Sequence, residues 1–325
     1  MIHFALRTAA PVVMGALLLL GATANANTTV SFSLNSSNLT DRALRLQADL
    51  EILAGEIGER NMVKYDNYMA AKEFLIQSWQ QMGYTVETQK YEVKGTPAYN
   101  LYVTIEGSEE PDKFAVVGAH YDSVEGAPGA NDNGSGVVGL LELSRLLRDA
   151  TPKTSIMLVM FANEEPPYFQ KSSMGSLVFA KSIERAGVEV VSMLSLETMG
   201  YYSDERGSQK APFPLNLFYP DTGNFIGVIS NNGSASLAKT IFNIFKEIAL
   251  IPAERASLPS YIPGIGWSDH WSFWKAGYKG VMLTDTAPYR YPYYHTEEDT
   301  PDKIQYDKVA QVVEGVYQYL RRYFY

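Results

Sequence analysis

Three apolar runs, residues 114–119, 156–162 and 190–196, each lead into polar groups that need partners at a strand end: His120 and Asp122, Glu164 and Glu165, and Glu197. Continuous apolar runs of this length predict strands buried on both faces, the habit of parallel sheets covered by helices. In open α/β sheets, ligands bind in the crevice beyond the carboxyl ends of the strands. Several acids gathered there repel one another, and a bound dication relieves that repulsion.

The rest of the chain alternates in the same way. Leu44, Leu46, Leu50 and Leu53 predict a helix over 41–55 with Thr40 as its N-cap, and a second helix is expected over 66–82, stopping at Gly83. Strands are expected over 85–93, 101–105, 113–119, 154–162 and 188–196, and helices over 134–147 and 173–186. Segments 225–229, 237–248 and 280–284 continue the mixture before a last helix over 306–323. The pattern argues for a three-layer α/β sandwich with a largely parallel central sheet. No internal repeat or linker divides it, so residues 39–325 are read as one domain, with the segments around 203–222 and 252–268 as loops.

The first 26 residues differ in kind. Arg7 precedes an apolar run over 9–22, and Ala24, Asn25 and Ala26 place small residues before a cleavage point after Ala26. This is a secretory signal pattern, too short for a membrane span, and no later segment is long and apolar enough to be one. A periplasmic or extracellular protein with no stable membrane anchor is expected. Residues 27–38, rich in Ser, Asn and Thr, are read as a flexible start. The formal net charge of -9 disfavours nucleic acid and anionic lipid as partners. The absence of cysteine means that any metal site uses histidine and carboxylate alone.

Only four histidines exist, His3, His120, His270 and His295, and His3 leaves with the signal. Asp122 lies two residues beyond His120, where strand alternation puts both on one face and a carboxylate can orient the ring. The run NDNGSG places Asp132 in a glycine-rich loop just before a helix. Each signal is weak alone, and their combination carries the argument.

In the order HYDS, NDNGSG, NEE, SLETMGYYSD, SDHWSFW and TDTAPYRYPYYHTEEDTPDKI, the chain resembles the M28 metallopeptidases, the co-catalytic zinc aminopeptidases, over about residues 50–325. The resemblance implies one α/β domain with a mixed, mainly parallel sheet and two zinc ions. It implies that His120, Asp132 and Glu197 hold one ion, and Asp132, Glu165 and His295 the other. It further implies Glu164 as general base, Asp122 as partner of His120, and a cis peptide between Asp132 and Asn133. Many members carry Asp where this chain has Glu197. Tyr294 is a candidate hydroxyl donor to the oxyanion. Substrates would be peptides with a free N-terminus, whose ammonium group an acid-rich rim attracts.

Other readings stay open. A glutaminyl-peptide cyclase shares this fold and keeps one zinc. A carboxypeptidase needs a basic pocket, for which Arg290 is the one residue near the motifs. A binding protein on an inactivated peptidase fold would have lost ligands or the base. His270, beside an aromatic cluster, is the rival ligand.

Overall fold

The computed structural model describes residues 36–211, 213 and 215–325, so the expected export signal lies outside the described residues. Helix α1 (Ser36–Leu50) runs on as a wider turn, Glu51–Ile57, and α2 spans Tyr65–Gln81. Then come β1 (Glu87–Val93), β2 (Thr96–Ile105), β3 (Glu110–His120), α3 (Gly136–Leu147) and β4 (Thr154–Phe161). These are followed by α4 (Gly175–Arg185), β5 (Glu189–Glu197), β6 (Ile226–Ser230), α5 (Ala235–Ile248) and β7 (Ala253–Ser257). The last elements are α6 (His270–Lys275), β8 (Gly280–Thr284), α7 (Ala287–Arg290) and α8 (Tyr306–Phe324).

The eight strands form one mixed sheet in the order β1-β2-β4-β3-β5-β8-β6-β7. Its centre, β4-β3-β5-β8, is parallel throughout. The three apolar runs of the sequence are three of these four strands. Their alternation divides the core in two. Ala115, Val117 and Ala119 of β3 and Ile156, Leu158 and Met160 of β4 face the larger core, with side chains of α1, α2, α3, α5 and α8. Val116 of β3 and Met157, Val159 and Phe161 of β4 face the smaller core, with Phe179 of α4 and Phe273 of α6. A strand with apolar residues on both faces has no polar alternation, which is why these segments read as continuous runs. At Gly118 a Cβ would lie 2.3 Å from the Phe161 ring, so only glycine lets that ring fill the smaller core.

Two expectations about the ends of elements are corrected. The first helix begins at Ser36, so residues 36–38 are helical and Thr40 lies inside the helix rather than capping it. Residues 253–257, expected within a loop, form the edge strand β7 beside β6. Their sequence, AERAS, is short and half polar, as an edge strand open to water can be.

Because the central strands are parallel, their carboxyl ends share one edge of the sheet. His120 closes β3, Glu197 closes β5, and Glu164 and Glu165 follow β4. The fold thus brings His120, the two glutamates after β4 and Glu197 to one edge, although they are spread along the chain from position 120 to position 197.

Candidate metal centre

Asp132 stands at the middle of this edge. One of its carboxylate oxygens, Oδ1, is 3.4 Å from His120 Nε2, and the other, Oδ2, is 3.0 Å from His295 Nε2. Glu197 Oε2 lies 3.2 Å from His120 Nε2, and Glu165 Oε2 lies 3.4 Å from His295 Nε2. Two donor groups result, His120–Asp132–Glu197 and Asp132–Glu165–His295, joined through the single carboxylate of Asp132. Glu164 belongs to neither. Its Oε2 is 3.9 Å from His120 Nε2, and it lines the same cavity as Asp132, Glu165, Glu197 and His295.

These spacings suit zinc. Two donors each about 2.0–2.2 Å from an ion, at a tetrahedral angle, lie about 3.3 Å apart. The donors are imidazole and carboxylate, which zinc takes when thiolate is absent. Glu165 Oε1 is buried without a hydrogen-bond partner, a cost that an ion at this place would remove.

The backbone around Asp132 is held by side chains that the sequence analysis gave no role. Residues 130–135 form a short, wholly buried turn, and the Asp132–Asn133 peptide is cis. Asp299 accepts from the backbone N–H of Asn131 at 2.7 Å and of Asp132 at 3.1 Å. Asn131 Nδ2 donates to Asp285 at 2.9 Å, and its Oδ1 accepts from Gly200 N–H. Asn133 Nδ2 donates to the Leu196 carbonyl, one residue before Glu197. The loop carrying Asp132 is thereby tied to the strand carrying Glu197.

Asp122 does more than face the His120 ring. Its Oδ1 is 3.6 Å from His120 Nδ1, while its own carbonyl is closer, at 3.2 Å. Its two carboxylate oxygens accept from the backbone N–H groups of Glu164 and Glu165, both at 3.1 Å. One residue therefore orients a histidine, through its carbonyl, and fixes the turn that presents both glutamates, through its carboxylate. Ser268 Oγ donates to Glu197 Oε2 at 2.7 Å, and Ser195 Oγ is 2.8 Å from Ser268 Oγ. In the SDH motif it is the serine, not the histidine, that reaches the site. His270 is buried elsewhere, bonded to the Ile265 carbonyl and edge-on to Trp274, and burial lowers its pKa to about 4. It belongs to neither donor group. Tyr294 stacks on His295 at 3.8 Å, and His295 holds a left-handed backbone (φ 59°) that non-glycine residues seldom adopt. Arg290 is buried, donating to Gln209 and to the Phe225 and Tyr201 carbonyls, and is no open anchor for a carboxylate.

The model of peptidase family M28 matches residues 100–320. The chain belongs to peptidase family M28, a family of zinc peptidases. It is 37% identical over 286 residues to YfbL of Escherichia coli, described as an uncharacterized protein, covering 84% of this chain and 85% of that one. The fungal relatives described as probable zinc metalloproteases are longer, and the chain spans about half their length. The fold matches a zinc aminopeptidase from Bacillus subtilis with a TM-score of 0.69 at 15% identity, over 87% of this chain and 95% of that one. It also matches a glutaminyl cyclase from Bacteroides thetaiotaomicron with a TM-score of 0.65 at 18% identity, over 85% and 96%. At these identities both structures speak for the fold alone.

Without a metal, burial pushes Glu164, Glu165 and Glu197 above the ordinary carboxylate range, and repulsion from neighbouring acids adds to it. Burial opposes charge on His120, but Glu197, Asp122 and Asp132 outweigh it and raise its pKa well above the usual value. Asp132 goes the other way: burial would raise it, but hydrogen bonds from His120 and His295 hold it below the usual range. Groups with a raised folded-state pKa stabilise the fold at low pH, and that stability is lost as pH rises through the folded value. The Asp132 contribution is lost only in strong acid. The metal-free protein is therefore expected to lose thermal stability as pH rises above the ordinary carboxylate range, and saturating zinc to abolish that loss, because zinc and protons compete for the same atoms. Thermal melts with and without zinc across that rise check it; a flat metal-free profile would contradict the assignment of these groups as a strained, proton-holding cluster.

Proposed function

We propose that this chain is an aminopeptidase holding two zinc ions, and that it removes apolar N-terminal residues from peptides. The observation that carries the reading is Asp132, whose two oxygens face one histidine each and join two donor groups. A one-metal cyclase needs no second histidine-and-acid group beyond the shared carboxylate. The first ion would be held by His120, Asp132 and Glu197, and the second by Asp132, Glu165 and His295. Bound zinc supplies Lewis acidity and a water of lowered pKa.

The chain's own groups then divide the work. Glu164, close to His120 but outside both donor groups, accepts the proton of the attacking water and delivers it to the leaving amine. Asp122 keeps Glu164 and Glu165 in register through their backbone N–H groups. The Tyr294 hydroxyl is suited to donate to the carbonyl oxygen as negative charge develops there. The metal cavity, about 560 Å³, is lined by Asp132, Glu164, Glu165, Glu197, Trp267 and Tyr294 among others. Its acids favour a substrate ammonium group and oppose a carboxylate. Arg290, the basis of a carboxypeptidase reading, is already engaged inside the protein.

A second cavity of about 910 Å³, open to solvent, shares Glu197, Trp267 and Tyr294 with the first. Leu215, Phe225, Ile229, Leu258, Ile265 and Met282 line it. A peptide whose amine lies by Glu197 would place its first side chain here, and transfer of that side chain from water favours large apolar residues.

Two substitutions test this. Glu164→Gln is expected to lower kcat by about 10²–10⁴-fold while zinc content is unchanged; undiminished turnover would refute the base assignment. Ala256→Phe, on the wall of the apolar cavity, is expected to cut kcat/KM for leucyl and phenylalanyl substrates about tenfold or more and to spare alanyl ones. An equal effect on both substrate classes would remove the cavity from the account.

A further inference from the structure

Arg60 has no exposed surface, and it lies before the segment that the family model matches. Its guanidinium is spent on backbone carbonyls rather than on an acid. Nε donates to the Tyr121 carbonyl at 2.7 Å, and Nη2 to the Gly129 carbonyl at 2.8 Å. Nη1 donates to the Pro128 carbonyl and, at 3.2 Å, to that of Gly58. Burial lowers its pKa only to about 10, so it stays charged at neutral pH, and Asp299, Asp122, Asp132 and Glu165 favour that charge. A buried cation is costly to keep, and a neutral side chain could fill the same space without that cost.

The carbonyls it collects belong to two segments that both carry site residues. Tyr121 sits between His120 and Asp122, while Pro128 and Gly129 lead directly to Asp132. The first of these segments is also clamped to the Arg60 backbone and its neighbour: Arg60 N–H donates to Ser123 Oγ, Ser123 N–H donates to the Arg60 carbonyl, and Asn61 Nδ2 donates to the Ser123 carbonyl. Space is tight. A Cβ on Gly129, whose φ is 65°, would lie 2.5 Å from the Asp132 carbonyl oxygen and 3.4 Å from Arg60 Nη2. A Cβ on Gly134 would lie 2.7 Å from the Gly129 carbonyl oxygen and 3.5 Å from the same Nη2.

We infer that Arg60 is a positioning residue for the metal centre: its planar fork fixes the Asp132 loop against the end of β3, and so sets how the Asp132 carboxylate is shared between His120 and His295. A fork with donors pointing three ways can hold Tyr121, Pro128 and Gly129 at once, which a single ammonium group on a flexible stem cannot. The inference rests on the reading of Asp132 as the carboxylate common to two zinc sites. Asp132 belongs to both donor groups, so disturbing its loop weakens both binding steps.

The test is zinc titration of the metal-free protein against a chromogenic chelator, for wild type, Arg60→Lys and Ser123→Ala. Val316→Ala in α8, in the larger core and outside both donor groups, serves as a destabilised control. Arg60→Lys keeps the charge and loses the fork. It is expected to weaken both zinc steps about tenfold or more, the size typical of losing a group that orients metal ligands. Ser123→Ala loosens the clamp, leaves Arg60 intact, and is expected to weaken both steps by less than Arg60→Lys does. It carries the test if Arg60→Lys does not fold. Val316→Ala is expected to lower Tm and leave zinc affinity unchanged. Wild-type affinity in a folded Arg60→Lys or Ser123→Ala protein overturns the inference, as does a loss that Val316→Ala reproduces at equal loss of Tm. A wild type that binds one zinc, or none, instead defeats the two-zinc reading beneath it.

Discussion

The structure depends on one carboxylate being shared by two histidines. Asp132 lies 3.4 Å from one ring and 3.0 Å from the other, and each contact uses a different oxygen. Around it Glu164, Glu165 and Glu197 are buried, with Asp122 and Asp299 close behind. Ionised carboxylates so placed cost several kcal/mol each unless something positive compensates them. The histidines supply part of that charge, and the two zinc ions proposed for this site would supply it more fully.

The parallel centre of the sheet makes this concentration possible. Four parallel strands end at one edge, so residues far apart in sequence meet there without long excursions of the chain. The remaining proposed ligands come from loops, and the loops are fixed by buried polar side chains. Asp299 and Asp285 hold Asn131 and Asp132, Asp122 holds the two glutamates, and Ser268 holds Glu197. Glu197 has a longer stem than an aspartate would, and Ser268 restrains its carboxylate, fixing one end of it.

Much of this was legible in the sequence. The central strands announced themselves as apolar runs because they are buried on both faces, and the donors because acids and a histidine ended those runs. His270 against His295 could not be decided from residue type. The structure separates them by burial: His270 bonds a carbonyl beside Trp274, and His295 faces Asp132. The supporting side chains were not legible. Asp299 lies 167 positions from Asp132, and nothing in its own motif, YYHTEEDT, says which backbone it will hold. Arg60 gave no signal, since a single arginine after Gly58 and Glu59 reads as a surface charge. The strand β7 was hidden by its polar composition, and the start of α1 by a Ser- and Asn-rich stretch that reads as flexible.

Zinc-soaked crystals measured above and below the zinc absorption edge test the shared carboxylate most directly. The account expects two anomalous peaks per chain, one bounded by His120, Asp132 and Glu197 and the other by Asp132, Glu165 and His295. A single peak, or two peaks of which only one touches Asp132, would contradict it.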